Sequence, residues 1–430
     1  MTRVLVLGAG VSGLSAARLA ANKGMTVTLF DESVATEIGE GFGVATGSWD
    51  PVLLEGIDLV VASPGFSERS RPIVETLERG LPIWSEIEFA YRHLRAPVVA
   101  VTGTNGKTSV TEATAAMLEA SGRSAPATGN IGAPLSDFTH DDYDTVVVEV
   151  SSFQLRFTEE FHPVAAAITN VAVDHLDWHG SAYSYREAKA RIYANQTDED
   201  LLVYDVDDEG ASKLASDAPS ELFPVSGTHI PDGGGGVDRG ALRVGEVAVD
   251  VSELTSDDPI HLVNLACAAA LALRVGATPE GVTTGAIGYR PGAHRRAVVG
   301  TKEGITWVND SKATNPHAAL ASIRAQGPVI LIAGGLAKGV DLTALTEPEN
   351  VKMIFGIGEA GPELVEAAAE RGRLAGTMEI AVEMAAGVAV PGDTVLLAPG
   401  CASFDQFSSY EARGDRFAEL VAERTRGERR

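Results

Sequence analysis

Short apolar runs rich in valine, isoleucine and leucine, each closed by a glycine or a small polar residue, alternate along the chain with segments of helical periodicity. The first set is RVLVLG, TVTLFD and LVVASPG, separated by SAARLAANKG and a Gly/Pro-rich stretch. A second set follows, PVVAVTG, TVVVEVSS, VAAAITN and LLVYD, and a third comes late, ITWVND, VILIAGG, KMIFGIG and TVLLAPG. Strand, helix and strand at this spacing is the signature of a parallel sheet, because each crossover needs a helix to carry the chain back. The pattern predicts an α/β fold of three tandem α/β domains.

Proline marks the breaks. RHLRAP ends the helical pattern EIEFAYRHL, and Pro291–Gly292 separate another helical segment from a new strand. The expected domains are therefore 1–94, 95–291 and 292–430. The glycine patch PDGGGG at 231–236 reads as a loop between short strands, since no strand-to-helix turn follows it. LVNLACAAALALRVG is too short to span a bilayer and reads as a buried helix.

Charge narrows the partners. A net charge of −25 over 430 residues argues against nucleic acid or an anionic membrane, both of which reward Lys and Arg. A small anionic substrate remains open, because local loops and metal ions can offset the global charge. The two cysteines, Cys267 and Cys401, give no disulfide framework. The start, MTRVLVLGAG, runs directly into a strand and turn without a signal-peptide layout, so a cytoplasmic protein is expected.

The chemistry lies where strands end. GAGVSG at 8–13 follows the first strand and opens a helix, with Asp31 at the end of the next strand. This is the dinucleotide fingerprint in its required context, bringing Gly10, Val11 and Ser12 to a diphosphate at a helix N-terminus. A nicotinamide cofactor, another nucleotide diphosphate and a ligand-free turn all fit it. Ser63, Pro64 and Gly65 end another strand and could wall the same crevice. GTNGKTS at 103–109 has the Gly-Lys-Thr of a phosphate loop, but Gly103 and Gly106 stand two residues closer than in a Walker loop. Its backbone amides, Lys107 and the helix dipole still converge on phosphate, and the Thr108 hydroxyl is placed for Mg²⁺. Glu149 interrupts the apolar run VVVEV, where a buried carboxylate is costly without a cation. Asp174 and His175, in NVAVDHLDWHG, lie on the same sheet edge. Lys189, in the helical YREAKARIY, reads locally as a surface lysine. In the third segment Lys312, Thr314, Lys338 and Ser403 line strand ends and suit an anionic small molecule.

Taken in order, GTNGKT, EVSSFQL, NVAVDHLD, YREAKARIY, HRR, NDSKATN and CASFDQF resemble the Mur ligases over essentially the whole chain. NDSKATN, SSFQL and CASFDQF look like the branch that adds D-glutamate. The resemblance implies a Rossmann-like N-terminal domain holding the diphosphate of UDP-N-acetylmuramoyl-L-alanine, a central ATP-binding domain and a Rossmann-like C-terminal domain holding D-glutamate. It also implies a monomer and two Mg²⁺ ions. ATP would contact Gly103, Thr104, Asn105, Gly106, Lys107, Thr108 and Ser109, together with Asn264, Arg295, Asp310 and Lys312. Thr108, Glu149 and His175 resemble the metal shell, with Lys189 as a carbamate beside it; Lys107 joins them in catalysis. Asn130, Ser151 and His175 resemble contacts to the UDP-substrate. Thr314, Lys338, Ser403 and Tyr410 resemble the D-glutamate pocket. The chain departs from the family at HLVN, 261–264, one residue short of His-Asn-x-x-Asn, and at Tyr410, where phenylalanine is common. A nicotinamide-dependent oxidoreductase, the main rival, leaves GTNGKTS, EVSS and the third segment unexplained.

Overall fold

The apolar runs become central strands because both faces of each sheet are covered. In the computed structural model, which describes residues 1–33, 42–172, 174–337 and 339–425, the first sheet comprises β1 (Arg3–Leu7), β2 (Thr26–Asp31), β3 (Gly43–Thr46), β4 (Leu59–Ala62) and β5 (Ile83–Ser85). Its order is β3-β2-β1-β4-β5 and every pairing is parallel. Val4, Leu5, Val6 and Leu7 of β1 are fully buried, so both faces of this strand lie in the core.

The second sheet comprises β6 (Val98–Thr102), β7 (Ala127–Gly129), β8 (Val146–Glu149), β9 (Ala165–Ile168), β10 (Leu201–Asp205) and β11 (Glu221–Val225). It is also wholly parallel, in the order β11-β10-β9-β6-β8-β7. Successive residues of β6 face opposite ways. Val98 and Ala100 join a cluster with Ala16, Leu19 and Leu29 of the first sheet's layer. Val99 and Val101 join Val110 and Met117, from the helix Lys107–Ala120, and Leu265, from the helix Pro259–Arg274. The latter helix is the buried one expected from LVNLACAAALALRVG.

The glycine patch runs between short strands as expected, from β11 into β12 (Gly236–Asp238), but the three-stranded antiparallel sheet that β12 forms with β13 (Ala241–Val244) and β14 (Val247–Asp250) was not foreseen. Its strands are too short for alternation to stand out. The glycine patch before it serves close packing: a Cβ at Gly234 would strike the Pro224 carbonyl, and one at Gly236 the His229 carbonyl.

The last sheet comprises β15 (Ala297–Lys302), β16 (Ile305–Asn309), β17 (Val329–Gly334), β18 (Val351–Ile357), β19 (Gly372–Gly376) and β20 (Thr394–Leu397). Its order is β15-β16-β20-β17-β18-β19, parallel except for the β15–β16 hairpin. The chain divides into two compact units, Met1–Tyr289 and Arg290–Arg430. The first unit contains two parallel α/β sheets and the second contains one, so the fold comprises three α/β domains.

Within the first unit, the helix Glu86–Tyr91 fastens the two sheets together with buried carboxylates. Glu88 accepts the backbone amides of Glu159, Glu160 and Phe161 at 2.8–3.0 Å and the Arg92 Nε at 2.7 Å. Glu86 accepts the amide and hydroxyl of Ser136, each at 2.6 Å, and burial pushes its carboxyl from 4.5 up to about 7. A folded-state pKa above the unfolded one gives stability that is complete below 4.5 and is lost as pH rises through about 7. That loss amounts to roughly 3 kcal/mol. Glu86→Gln removes the titration, so its stability relative to wild type should rise between pH 5 and 8. Urea melts of both proteins across that range check this, and a difference independent of pH contradicts it.

Candidate active site

The loop after β6 is shaped by close contacts that leave no room for side chains. A Cβ at Gly103 would collide with the Thr169 hydroxyl, and Gly106, at φ +83°, lies against the Asn264 amide, whose Oδ1 would be 2.8 Å from a Cβ. Asn170 locks the loop from outside: its Oδ1 accepts the Asn105 amide at 2.8 Å and its Nδ2 donates to the Asn105 carbonyl at 3.0 Å. The Thr104 hydroxyl lies 3.0 Å from the Tyr185 hydroxyl and accepts the Ala172 amide at 3.0 Å. Thr169, Asn170 and Tyr185 were not singled out in the sequence; their side chains hold the loop from neighbouring segments. Ser109 lies inside the following helix and is buried.

Around this loop the structure gathers several of the expected residues. The Lys107 ammonium donates to the Gly103 and Thr104 carbonyls at 3.0 and 3.1 Å. The Thr108 hydroxyl donates to Glu149 Oε2 at 2.7 Å, and Asn130 Nδ2 donates to Glu149 Oε1 at 2.8 Å. Glu149 is 2 % exposed, so both oxygens of a buried carboxylate are positioned by neutral donors. Lys189 is not a surface lysine. It is 1 % exposed and donates to the Gly103 carbonyl at 2.7 Å. Burial, and then the charge of Lys107, hold its ammonium well below the usual lysine range, opposed by Asp174 and Glu149.

Two other expected residues have different surroundings. His175, at φ +52°, packs its ring 4.7 Å from Phe153 and is half-exposed. The Ser151 hydroxyl caps the helix Ser152–Arg156, accepting the Gln154 amide at 3.3 Å and donating to Gln154 Oε1 at 2.9 Å.

In the N-terminal domain, Gly10, Val11, Ser12, Asp31, Ser63, Pro64 and Gly65 line a single cavity of about 550 Å³. Gly8 and Gly13 lie too close to Ser63 and to the Gly8 carbonyl, respectively, to carry side chains, whereas Gly10 faces open space. Asp31 is occupied with the chain itself. Its Oδ2 accepts the Ala9 amide at 2.7 Å and its Oδ1 accepts the Ser33 amide and hydroxyl at 2.9 and 2.6 Å; the Ala9 bond does most to lower its pKa.

In the second unit Lys312, Thr314 and Ser403 lie on loops and Tyr410 opens the helix Tyr410–Thr425; Lys338 lies outside the described residues. The Lys312 ammonium sits 3.8 Å over the Tyr410 ring, an attraction the phenol retains from an aromatic wall. Ser403 is buried, and its carbonyl accepts the amides of Gln406 and Phe407. Asp310 accepts the Arg296 amide at 3.2 Å, and burial pushes its carboxyl up to about 6. Arg295 flanks it in a turn where His294 and Arg296 both adopt positive φ. Arg413, which the sequence did not reveal as important, ties these loops together. It is 1 % exposed and donates to Ser311 Oγ, the Ser311 carbonyl and the Cys401 carbonyl at 3.0, 2.9 and 3.1 Å. Ser311 Oγ in turn donates to the Tyr410 carbonyl at 2.8 Å. A single arginine in a helical, charged stretch gives no sequence signal of such a role.

A shortened phosphate loop beside a clamped carboxylate, a nucleotide-type first domain and a third α/β domain together define an ATP-dependent amide-forming ligase. Family profiles match in the same order: Mur ligase MurD-like, N-terminal domain over residues 2–85, Mur ligase middle domain over 101–228, and Mur ligase, glutamate ligase domain over 294–401. The chain belongs to the Mur ligase family. It is 39% identical to the UDP-N-acetylmuramoylalanine--D-glutamate ligase of Frankia casuarinae, covering 98% of this chain and 94% of that one. It is 37% identical to the ligase of the same name from Acidobacterium capsulatum, over 97% and 96% of the two chains. Among solved structures, MurF of Acinetobacter baumannii superposes with a TM-score of 0.62 at 16% identity, covering 97% of this chain and 90% of that one. A pseudomurein peptide ligase type C from Methanothermus fervidus gives 0.60 at 17% identity, over 98% and 100%. At these identities the structural likeness is one of fold. No described helix is long and apolar enough to cross a membrane.

Proposed function

We propose that this enzyme joins D-glutamate to UDP-N-acetylmuramoyl-L-alanine in the cytoplasm, as a step of peptidoglycan synthesis, converting ATP to ADP and phosphate. The observation that carries this reading is the arrangement at the phosphate loop: Glu149 held by Thr108 and Asn130, with Lys189 buried against the Gly103 carbonyl. The names of the full-length relatives supply the substrates. We assign the UDP diphosphate to the N-terminal cavity, ATP to the loop 103–109 with Asn264, Arg295, Asp310 and Lys312, and D-glutamate to Thr314, Lys338, Ser403 and Tyr410. The working protein is a monomer, with domain boundaries near 94/95 and 291/292.

A carboxylate is a poor electrophile, so the alanyl carboxylate takes the γ-phosphoryl group of ATP to become an acyl phosphate. The D-glutamate amine then attacks the acyl carbon, and phosphate leaves. Lys107 grips phosphoryl oxygens from the loop, where charge gathers during both steps. The residues suit Mg²⁺: Thr108 and Glu149 offer hard oxygens, and an otherwise costly buried carboxylate is explained by a cation. Two Mg²⁺ ions, when bound, neutralise charge between the phosphate and the carboxylate. His175 belongs with these ligands. Lys189 completes the set as a carbamate: CO₂ needs a neutral amine, which burial and Lys107 favour. Asn130 fixes Glu149 and leaves Ser151 to shape the neighbouring turn.

Phosphate release in the presence of ATP and UDP-N-acetylmuramoyl-L-alanine, compared across amino acids, tests the acceptor. D-glutamate should exceed L-glutamate, L-alanine, L-lysine and diaminopimelate by roughly 100-fold or more, because a misplaced carboxylate or amine leaves buried polar groups unpaired. Faster release with any of the others contradicts the assignment.

A further inference from the structure

The cavity assigned above to a diphosphate has an unusual charge balance. Its lining includes two carboxylates, Asp31 and Glu32, and neither lysine nor arginine. Backbone amides at a helix N-terminus attract a diphosphate, but a dianion beside these carboxylates also calls for a compensating positive group. One stands on the segment that walls the cavity. Arg69 lies between the lining residues Ser67 and Ser70, is exposed, and makes no hydrogen bond or ion pair with the described residues. Its neighbours differ: Glu68 is paired with Arg156 at 2.6 Å, and Arg71 with Glu75 at 2.6 Å.

The Arg69 guanidinium is nevertheless placed. It fills the space that a Cβ would need at Gly180, a residue at φ +74°. Gly180 closes the segment DHLDWHG, which carries His175 in the central domain. The guanidinium thus spans the two domains of the first unit, with its root on the cavity wall and its head on the loop of His175. A planar fork with five donors and no carboxylate partner matches phosphate oxygens.

We propose that Arg69 is a substrate-binding residue that grips the diphosphate of the nucleotide-sugar, and that Gly180 is glycine so that the guanidinium can lie there. This rests on the function proposed above. Arg69→Gln keeps a polar side chain, though a shorter one, and removes the charge, and an exposed position leaves folding unaffected. KM for UDP-N-acetylmuramoyl-L-alanine should rise roughly 10- to 100-fold, while KM for ATP and for D-glutamate stays unchanged. Arg69→Lys should recover part of the loss, and Gly180→Ala should reproduce it by displacing the guanidinium.

Calorimetric titration with UDP alone separates the possibilities. Wild type that binds UDP, with a matching loss of affinity in Arg69→Gln, supports the assignment. A variant that binds UDP as well as wild type does overturns it, even if KM for the full substrate has risen. Wild type that neither binds UDP nor turns over the nucleotide-sugar refutes instead the function on which the inference rests.

Discussion

Lys189→Ala should lose roughly 1,000-fold or more in turnover while keeping its fold and its affinity for UDP. An ammonium at this site would stand beside Lys107, touching the Gly103 carbonyl at 2.7 Å and the Tyr185 ring at 4.7 Å, with the charges of Asp174 and Glu149 outweighed by burial and by Lys107. It would also repel a cation held by Glu149. A carbamate reverses the charge and presents two oxygens of the kind hard cations prefer. A short carboxylic acid added to the Ala variant should therefore restore part of the activity, since it can occupy the vacated space with the same charge. Lys189→Arg should fail without rescue, because a guanidinium keeps its charge and cannot be carbamylated. Near-normal turnover by the Arg variant would show that Lys189 acts as a cation.

Arg413→Met has the other large expected effect. Burial lowers the arginine to about 10, so it remains charged at neutral pH and is compensated by carbonyl and hydroxyl oxygens. Methionine fills much of the volume and avoids the burial of a charge. It leaves the Ser311 and Cys401 carbonyls without this donor, and the second unit should lose about 2–4 kcal/mol in denaturant melts. Because Ser311 passes the constraint to Tyr410, KM for D-glutamate should rise while KM for the nucleotide-sugar does not. Arg413→Lys, with a single ammonium for three acceptors, should fall in between. An unchanged melt would mean that water replaces all three bonds.

How far the sequence could lead depended on the range of each signal. The central strands were legible because β1, β6, β17 and β20 are buried on both faces and read as continuous apolar runs. β3, β5, β7, β11 and β19 were missed: each is an edge strand of its sheet, paired on one side only, and exposed positions such as Val44, Leu222 and Leu374 break up the apolar runs of β3, β11 and β19. Loop residues whose role is local, such as Gly103, Lys107 and Thr108, could be read from their spacing. Glu149 stood out because a carboxylate among valines needs a reason. Lys189 was read locally as a surface residue because its burial depends on Tyr185 and on a loop 86 residues away. Arg413 and Arg69 escaped for the same cause. Their significance comes from what lies opposite them, Ser311 and Cys401 in one case and Gly180 in the other, and no periodicity encodes that.

The central claim, activation of the alanyl carboxylate as an acyl phosphate, is tested most directly by isotope transfer. UDP-N-acetylmuramoyl-L-alanine carrying ¹⁸O in both carboxylate oxygens is turned over with unlabelled ATP and D-glutamate, and the phosphate released is weighed by mass spectrometry. One carboxylate oxygen bridges carbon and phosphorus in the acyl phosphate and leaves with phosphorus when the amine attacks. The account predicts one ¹⁸O in each phosphate formed; phosphate without label, released in step with amide, would contradict it.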